Sequence, residues 1–382
     1  MKLSISNVPI AGINGRNNYL DILEMAWLDH LKPRDPNAPT IISLFAGAGG
    51  SSLGYSMAGF RELLAVEWDK NAVETFKMNF PDIPVYFGDI CNLSVNECLQ
   101  ITKLKSRELD ILDGSPPCQG FSTAGKRIMD DSRNQLFREY IRLLRGLMPK
   151  VFIMENVSGM VKGKMKLIFT EIMRELKASG YKVSARLMNM MYFNVPQSRE
   201  RIIFIGVRED LGIKPSYPKV AGRPILVKEA FYKLPDFNKE ELYWKGKKGL
   251  EIIRNMRPGE DGSISSERIS GNGNKWFNLR RISYDLPGQT ITKASGGSSL
   301  IHPIEDRILG LPEYKRLSSF PDSFQFIGNK YNFKARIGNS VPPLFMQAIA
   351  LHIKSEILQY RADLTGREPK LVETYGVESE PA

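Results

Sequence analysis

The sequence predicts an α/β fold: a doubly wound, mostly parallel sheet covered by helices on both faces, joined to a second, smaller, irregular and β-leaning domain. Three observations predict it. Short β-branched runs alternate with helical patterns from Thr40 to Val207, the strands are apolar almost throughout, and after Leu211 both features stop as Pro and Gly become frequent. Strand–helix alternation implies parallel crossovers, and strands apolar on both faces belong to a sheet buried between two helical layers.

Thr40–Phe45 (TIISLF) reads as the first strand and runs into a glycine-rich turn and a helix near Ser52–Met57. Arg61–Trp68 is the second strand. The amphipathic helix Asp69–Asn79 follows, with Asp69 as N-cap, because a carboxylate there accepts a free N–H of the first turn. Val85–Phe87 and Leu109–Leu112 are short strands separated by a helical stretch. Val151–Met154 is a buried strand fed by a helix over Gln135–Met148; the helix Lys164–Ser179 and the strands Tyr181–Asn189 and Arg201–Val207 close the series. Ser270–Arg281 reads as polar loop, and Pro343–Tyr360 as a helix that returns to the first domain. The expected organisation is an N-terminal extension (1–39), a main domain (40–210, completed by 326–362), a second domain (211–325) and a tail (363–382). Sheets of this kind bind ligands beyond the carboxyl ends of their strands.

A chain of 382 residues is too long for one ordinary domain and short for three. With 42% apolar and 25% charged residues, it is excluded from the disordered, collagen-like and coiled-coil classes. No apolar run approaches the roughly 20 residues that span a bilayer. The first residues, MKLSISNVPIAGINGRNN, are broken by Asn, Pro and Gly before a signal-peptide core can form. Three cysteines make no disulfide framework, so a cytoplasmic protein with reduced thiols is expected. His30, His302 and His352 lie far apart with no zinc-ligand spacing, and no metal is expected. Charge is more informative: 53 Lys+Arg against 42 Asp+Glu give +11, and residues 211–330 alone hold 20 basic and 13 acidic side chains. Such an excess suits a polyanion, whose phosphates it neutralises with release of counterions; a basic surface serving solubility alone is the bland alternative.

The candidate chemistry sits at strand ends. Phe45-Ala46-Gly47-Ala48-Gly49-Gly50 follows the first strand and opens a helix, so its glycines let the backbone turn tightly and a ligand approach. Glu67 ends the second strand, where a carboxylate can bind two ribose hydroxyls; with no Lys after the glycines this is no triphosphate loop. Trp68 and Asp89, at the next strand ends, could stack on and hydrogen-bond an adenine, or be plain surface residues. The fourth strand leads into Ser115-Pro116-Pro117-Cys118-Gln119-Gly120-Phe121-Ser122. Two prolines stiffen the approach to Cys118, a candidate nucleophile whose thiol needs help to ionise near neutrality, whereas Cys91 and Cys98 read as ordinary packed cysteines. The fifth strand ends in Glu155-Asn156-Val157, and a half-buried carboxyl there is suited to donating a proton. Arg199 and Arg201, two apart, are expected on one face; surface ion pairing is the bland account.

FAGAGG, EWD, GDI, PPCQGFS, MENV, QSRERI and IGNSVPP occur in the order found in DNA (cytosine-5) methyltransferases, and the chain resembles that family from about residue 40 to 353. His302–Phe324 also looks like the family's segment before its final motif. The resemblance implies a class I, Rossmann-like methyltransferase fold with a target recognition domain, S-adenosyl-L-methionine as cofactor and a cytosine in double-stranded DNA as substrate. It implies that Cys118 adds to C6, that Glu155 holds N3 and the exocyclic amine, that Arg201 sits on O2, and that Arg199 lowers the thiol pKa. Phe45, Gly47, Gly49, Gly50, Glu67, Trp68, Asp89, Ile90, Leu136 and Asn339 would line the cofactor site. Pro116 would offer its carbonyl to the base amine, Ser122 would touch a phosphate, Gln119 and Gln197 would lie on the substrate side, and Gly120–Gln135 would close as a lid.

Arg280 or Arg281 is expected to read a guanine, and Thr290 or Thr292 to contact the DNA backbone; both arginines could equally be phosphate clamps. Ser115-Pro116-Pro117 also begins the amino-methyltransferase motif, but that motif continues with an aromatic residue and not a thiol. Two rivals share the scaffold. The tRNA-methylating branch usually carries Cys-Phe-Thr in its recognition region, and no cysteine follows Cys118 here; a dead DNA-binding regulator would not need Cys118, Glu155, Arg199 and Arg201 intact. A monomer of the restriction–modification type is expected, paired in function with a cognate restriction endonuclease but not in a stable complex.

Overall fold

The computed structural model describes residues 18–117, 135–161, 165–271, 273, 276, 278–293 and 299–358. Its centre is a seven-stranded sheet formed by β1 (Thr40–Leu44), β2 (Arg61–Glu67), β3 (Val85–Phe87), β4 (Ile111–Gly114), β5 (Val151–Val157), β6 (Tyr181–Asn189) and β7 (Glu200–Arg208), in the order β3-β2-β1-β4-β5-β7-β6. The first five strands are mutually parallel, and β7 runs antiparallel between β5 and β6. The order reverses between β1 and β4, so a crevice opens beyond their carboxyl ends.

Apolar side chains alternate between the two faces of these strands. Ile41, Ala65, Ile111, Ile153 and Ile203 face one layer, and Ile42, Leu44, Val66, Leu112, Phe152 and Met154 face the other. The first layer contains α2 (Gly50–Met57), α3 (Lys70–Asn79) and α12 (Pro343–His352); the second contains α4 (Val95–Thr102), α5 (Gln135–Leu147) and α6 (Lys166–Ala178). Asp69 caps α3, its carboxylate accepting from the Ala72 N–H at 3.0 Å. The C-terminal helix packs on α2 at the closest range a backbone allows. A Cβ at Gly54 would stand 2.6 Å from the Pro343 carbonyl, and one at Gly50 would stand 2.5 Å from the Val341 carbonyl. A π-helical turn, Ile353–Leu358, continues α12.

Three sequence expectations change. Residues 18–31 are not a loose extension but helix α1, with Tyr19, Ile22, Leu23 and Ala26 buried in the main core and the Tyr19 hydroxyl donating to the Arg316 carbonyl. The region after Leu211 is irregular, but among its described residues helix outweighs strand. It holds α7 (Val227–Ala230), α8 (Lys247–Asn255), α9 (Gly262–Ser270) and α10 (Leu311–Leu317), with the short parallel strands β8 (Leu279–Arg281) and β9 (Ser299–Ile301). Only part of 211–325 has a core of its own, built on Ile252, Ile253, Met256, Leu279 and Ile301; Ile225, Val227, Ile282, Ile291, Leu309 and Leu317 belong to the main core. The chain then returns through α11 (Lys330–Asn339). Among the described residues no helix is long and apolar enough to cross a membrane.

Candidate active site

The carboxyl ends of β1 and β2 form a cradle. Phe45 has φ +57°, a strained value for a residue with a Cβ, and Gly47 has φ +58°. Glycine is needed at 49 and 50 for packing, since a Cβ at Gly49 would stand 2.5 Å from the Phe80 ring, and one at Gly50 would meet the Val341 carbonyl. Gly47 differs: a Cβ there would meet nothing within 4 Å, so its backbone borders open space. Glu67 is buried beside it and accepts from the N–H groups of Gly47 (2.8 Å), Trp68 and Asp69 (2.9 Å each). An ionised carboxylate has about four acceptor sites, so three internal bonds leave room for a ligand hydroxyl at the mouth of the loop.

Trp68 is 73% exposed just past the end of β2, and Phe87, which pairs with Glu67 in the β2–β3 register, is 55% exposed. Two large rings in solvent beside a polar cradle are a platform for a flat ligand. Asp89 is exposed and caps the turn Ile90–Asn92; the Cys91 N–H it accepts holds its carboxyl below the usual range. Ile90 and the half-buried Leu136 and Phe45 pack on the core of this face, so the Ile90 side chain supports the site from beneath. Asn339 is exposed at the end of α11, the helix whose Arg336 guanidinium pairs with Asp69 at 2.7 Å. Neither Arg336 nor Phe87 was marked by the sequence patterns, because their relevance arises only when distant segments meet.

The next two strands carry the second half of the site. Asn156 donates from Nδ2 to the Pro116 carbonyl at 3.1 Å and accepts from the Val157 N–H, bracing the turn that leaves β4. The Asn of MENV is thus a brace that sequence reasoning left without a role. Glu155, on β5, faces Arg201 of β7, with Oε1 and Nε 2.8 Å apart. Both are largely buried, so the carboxyl expected to be half-buried is enclosed more fully and faces a guanidinium. Cys118, Gln119, Ser122 and most of Gly120–Gln135 lie outside the described residues.

Arg199, expected to lower the thiol pKa, has its terminal donors engaged within the protein. It is 2% exposed and donates to the Ile291 carbonyl and the Gly338 carbonyl, both at 2.9 Å. Burial, and then the like charge of Arg201, hold its pKa below the usual guanidinium value, while Glu155 opposes them. It therefore stitches the segment around Ile291 and α11 to the site, and both terminal nitrogens have protein acceptors. Gln197 is engaged in the same way: its amide donates to Leu317 and Ser318 and accepts from the Ile291 N–H, which leaves it little to offer a substrate. Thr290 donates its hydroxyl to the Ser198 carbonyl at 2.7 Å and serves the same seam, and Gln197–Ser198 pair in parallel with Gly288–Gln289. Thr292 is exposed at the end of this seam.

The two candidate base readers separate. Arg281 is 4% exposed and donates to the carbonyls of His302 and Ile253, and pairs with Asp306 at 3.0 Å; enclosed this way, it cannot enter a groove. Arg280, on the opposite side of β8, is exposed. Nearby, Arg307 and Glu313 form a buried two-bond pair at 2.7 and 2.8 Å, and burial, then Arg307, pushes His302 down to about 4. Among the described residues no group of three or more His, Cys, Asp and Glu could hold a metal ion.

Comparison with known proteins agrees with this geometry. The family model described as C-5 cytosine-specific DNA methylase matches residues 39–355. Type II methyltransferase M1.HphI of Haemophilus parahaemolyticus is 36% identical over 326 residues, covering 81% of this chain and 85% of that protein. Type II methyltransferase M.XorII of Xanthomonas oryzae pv. oryzae is 33% identical over 355 residues, covering 81% and 83%. An Escherichia coli prophage-encoded protein described as a DNA modification methyltransferase superposes with a TM-score of 0.69 at 26% identity, over 84% of this chain and 100% of that one. The S. pombe Dnmt2 methyltransferase, with a TM-score of 0.60 at 16% identity over 84% and 99% of the two chains, shares the fold.

Proposed function

The chain belongs to the C-5 cytosine-specific DNA methylases and is a DNA (cytosine-5) methyltransferase, and from that premise we propose how its residues divide the work. S-adenosyl-L-methionine is the methyl donor, Cys118 is the nucleophile, and Glu155 and Arg201 hold a cytosine flipped out of duplex DNA. The observation that carries this reading is adjacency. The open Gly47–Glu67 cradle lies at the ends of β1 and β2, while the Pro116 turn and the Glu155–Arg201 pair lie at the ends of β4, β5 and β7 in the same sheet.

The cofactor cradle fits a nucleoside: an open glycine backbone, a buried carboxylate with spare acceptor capacity, and an exposed ring. When bound, the cofactor supplies an electrophilic methyl group. Glu67 would take ribose hydroxyls and Trp68 the adenine face, with Asp89 and Asn339 at the rim. Cytosine C5 is a poor nucleophile, so Cys118 as thiolate adds to C6 and makes C5 enamine-like. Glu155 delivers a proton to N3 and accepts from the exocyclic amine, Arg201 sits on O2, and together they stabilise the charge that develops on addition. After transfer the C5 proton leaves and the cysteine is eliminated. None of these groups reaches a stacked base, so flipping costs a few kcal/mol, repaid within the site. Arg280 is the exposed arginine of β8 that could read a guanine, and the chain acts as a cytoplasmic monomer whose cognate endonuclease works separately.

Bisulfite sequencing of DNA from cells expressing the protein tests this. Protected cytosines within one recurring short sequence are expected; DNA converted throughout, with protein present and folded, would overturn the assignment.

A further inference from the structure

Helix α2 begins at the cofactor loop and lies over a row of polar side chains on an otherwise apolar sheet face. Ser43 of β1, Asp113 of β4 and Ile153 of β5 are neighbours in register, and Glu155 lies two residues beyond Ile153 on the same face. The Tyr55 hydroxyl, from α2, donates to Asp113 Oδ1 at 3.2 Å, and Ser51 supplies a second hydrogen bond. On the other flank the Ser52 hydroxyl donates to Glu62 of β2 at 3.0 Å. Asp113 is 5% exposed and no ion pair reaches it among the described residues; the titratable groups around it are Glu155, Glu62, Tyr140 and Tyr55.

An enclosed carboxyl without a cation is expensive in a core, and an apolar residue would pack there at less cost. Burial pushes Asp113 up to about 7, so the group keeps its proton up to about neutral pH and behaves there as a hydrogen-bonding strut. Its position indicates what the strut holds. Asp113 is the last residue before Gly114–Pro117, the turn that leads directly to Cys118. That turn is gripped on two further sides: Asn156 holds the Pro116 carbonyl, and a Cβ at Gly114 would stand 2.9 Å from Tyr140.

We propose that Asp113 is a positioning residue: through Tyr55 it fixes the Gly114–Pro117 turn against the helix that opens at the cofactor loop. The two halves of the site, on β1–β2 and on β4–β5, are thereby tied through α2 as well as through the β1–β4 ladder. The proposal rests on the reading of Cys118 as the nucleophile.

Tyr55→Phe removes the hydroxyl and keeps the ring, and Asp113→Asn keeps an acceptor for Tyr55. With the full chain, kcat and KM for DNA come from tritiated methyl transfer, and cofactor Kd from calorimetry. Tyr55→Phe is expected to lower kcat about tenfold while KM and Kd stay within about twofold, as for a small misplacement of a reacting group, and Asp113→Asn is expected to keep most of the turnover. Wild-type kcat in Tyr55→Phe, an equal loss of cofactor affinity, or an Asn variant as impaired as the Phe variant would each overturn the proposal. Failure of the underlying reading looks different: Cys118→Ser would then retain turnover.

Discussion

Arg280 and Arg281 stand side by side in a three-residue strand and face opposite ways. A buried arginine that pairs with Asp306 and carries two carbonyls is a structural post; removing it leaves the His302 and Ile253 carbonyls unmatched, while Asp306 keeps Arg254. Arg281→Ala should destabilise the fold by about 1–3 kcal/mol per unmatched carbonyl in urea unfolding while leaving the methylated sequence unchanged. Arg280→Ala should keep the stability and relax the methylated motif at one position, worth about 1–3 kcal/mol against a wrong base. If bisulfite sequencing instead shows the motif intact and all sites weakened alike, Arg280 is a phosphate clamp. Glu67→Ala should weaken the cofactor by roughly 1.5–3 kcal/mol through lost charged hydrogen bonds, and unchanged affinity in calorimetry would remove Glu67 from the site. At this scale, motif order located Glu67, Glu155 and Arg201, because each ends or begins a strand that alternation alone could place. It did not foresee that Arg199 and Gln197 would spend their donors on Ile291, Gly338 and Leu317, since those partners are more than ninety residues away.

Helix α2 is the element on which both halves of the site depend. Two acids packed beneath it, the buried Asp113 of β4 and the half-buried Glu62 of β2, make a testable demand on stability, because burial raises Asp113 to about 7 and Glu62 to about 8, from ordinary values of 3.8 and 4.5. Below about pH 4 both states hold these protons and no penalty arises. As pH rises from there the unfolded chain ionises freely while the folded one keeps its protons, so stability falls until the folded groups ionise near pH 7–8. Urea midpoints should therefore be lower at pH 8 than at pH 5, and Asp113→Asn should shrink the difference; the same difference in both proteins would count against the burial of this carboxyl as its cause. Elements with strong periodicity were legible within a residue or two, such as α3 and its Asp69 cap. The helices α8 and α9 were missed because KKGLEIIRN and GSISSERIS are short, polar and glycine-bearing, so tertiary packing on Trp244, Trp276 and Leu279 decides them. Helix α1 did carry a signal: Tyr19, Ile22, Leu23 and Ala26 recur at helical spacing, overlooked beside the broken residues before them.

At the scale of the molecule, a basic chain presents a nucleoside cradle and a base-holding pair along the ends of one sheet, with the recognition region sewn to both through Arg199, Gln197 and Thr290. The central claim is that this assembly forms a covalent bond between Cys118 and cytosine C6. DNA carrying 5-fluorocytosine within the methylated sequence tests it most directly, because after addition and methyl transfer the fluorine at C5 cannot leave as a cation and elimination is blocked. With S-adenosyl-L-methionine present, the wild-type protein should form a complex with this DNA that survives denaturation, and Cys118→Ser should form none. A wild-type protein that methylates ordinary DNA yet leaves no denaturation-resistant complex, or a Ser variant trapped as well as the wild type, would contradict it.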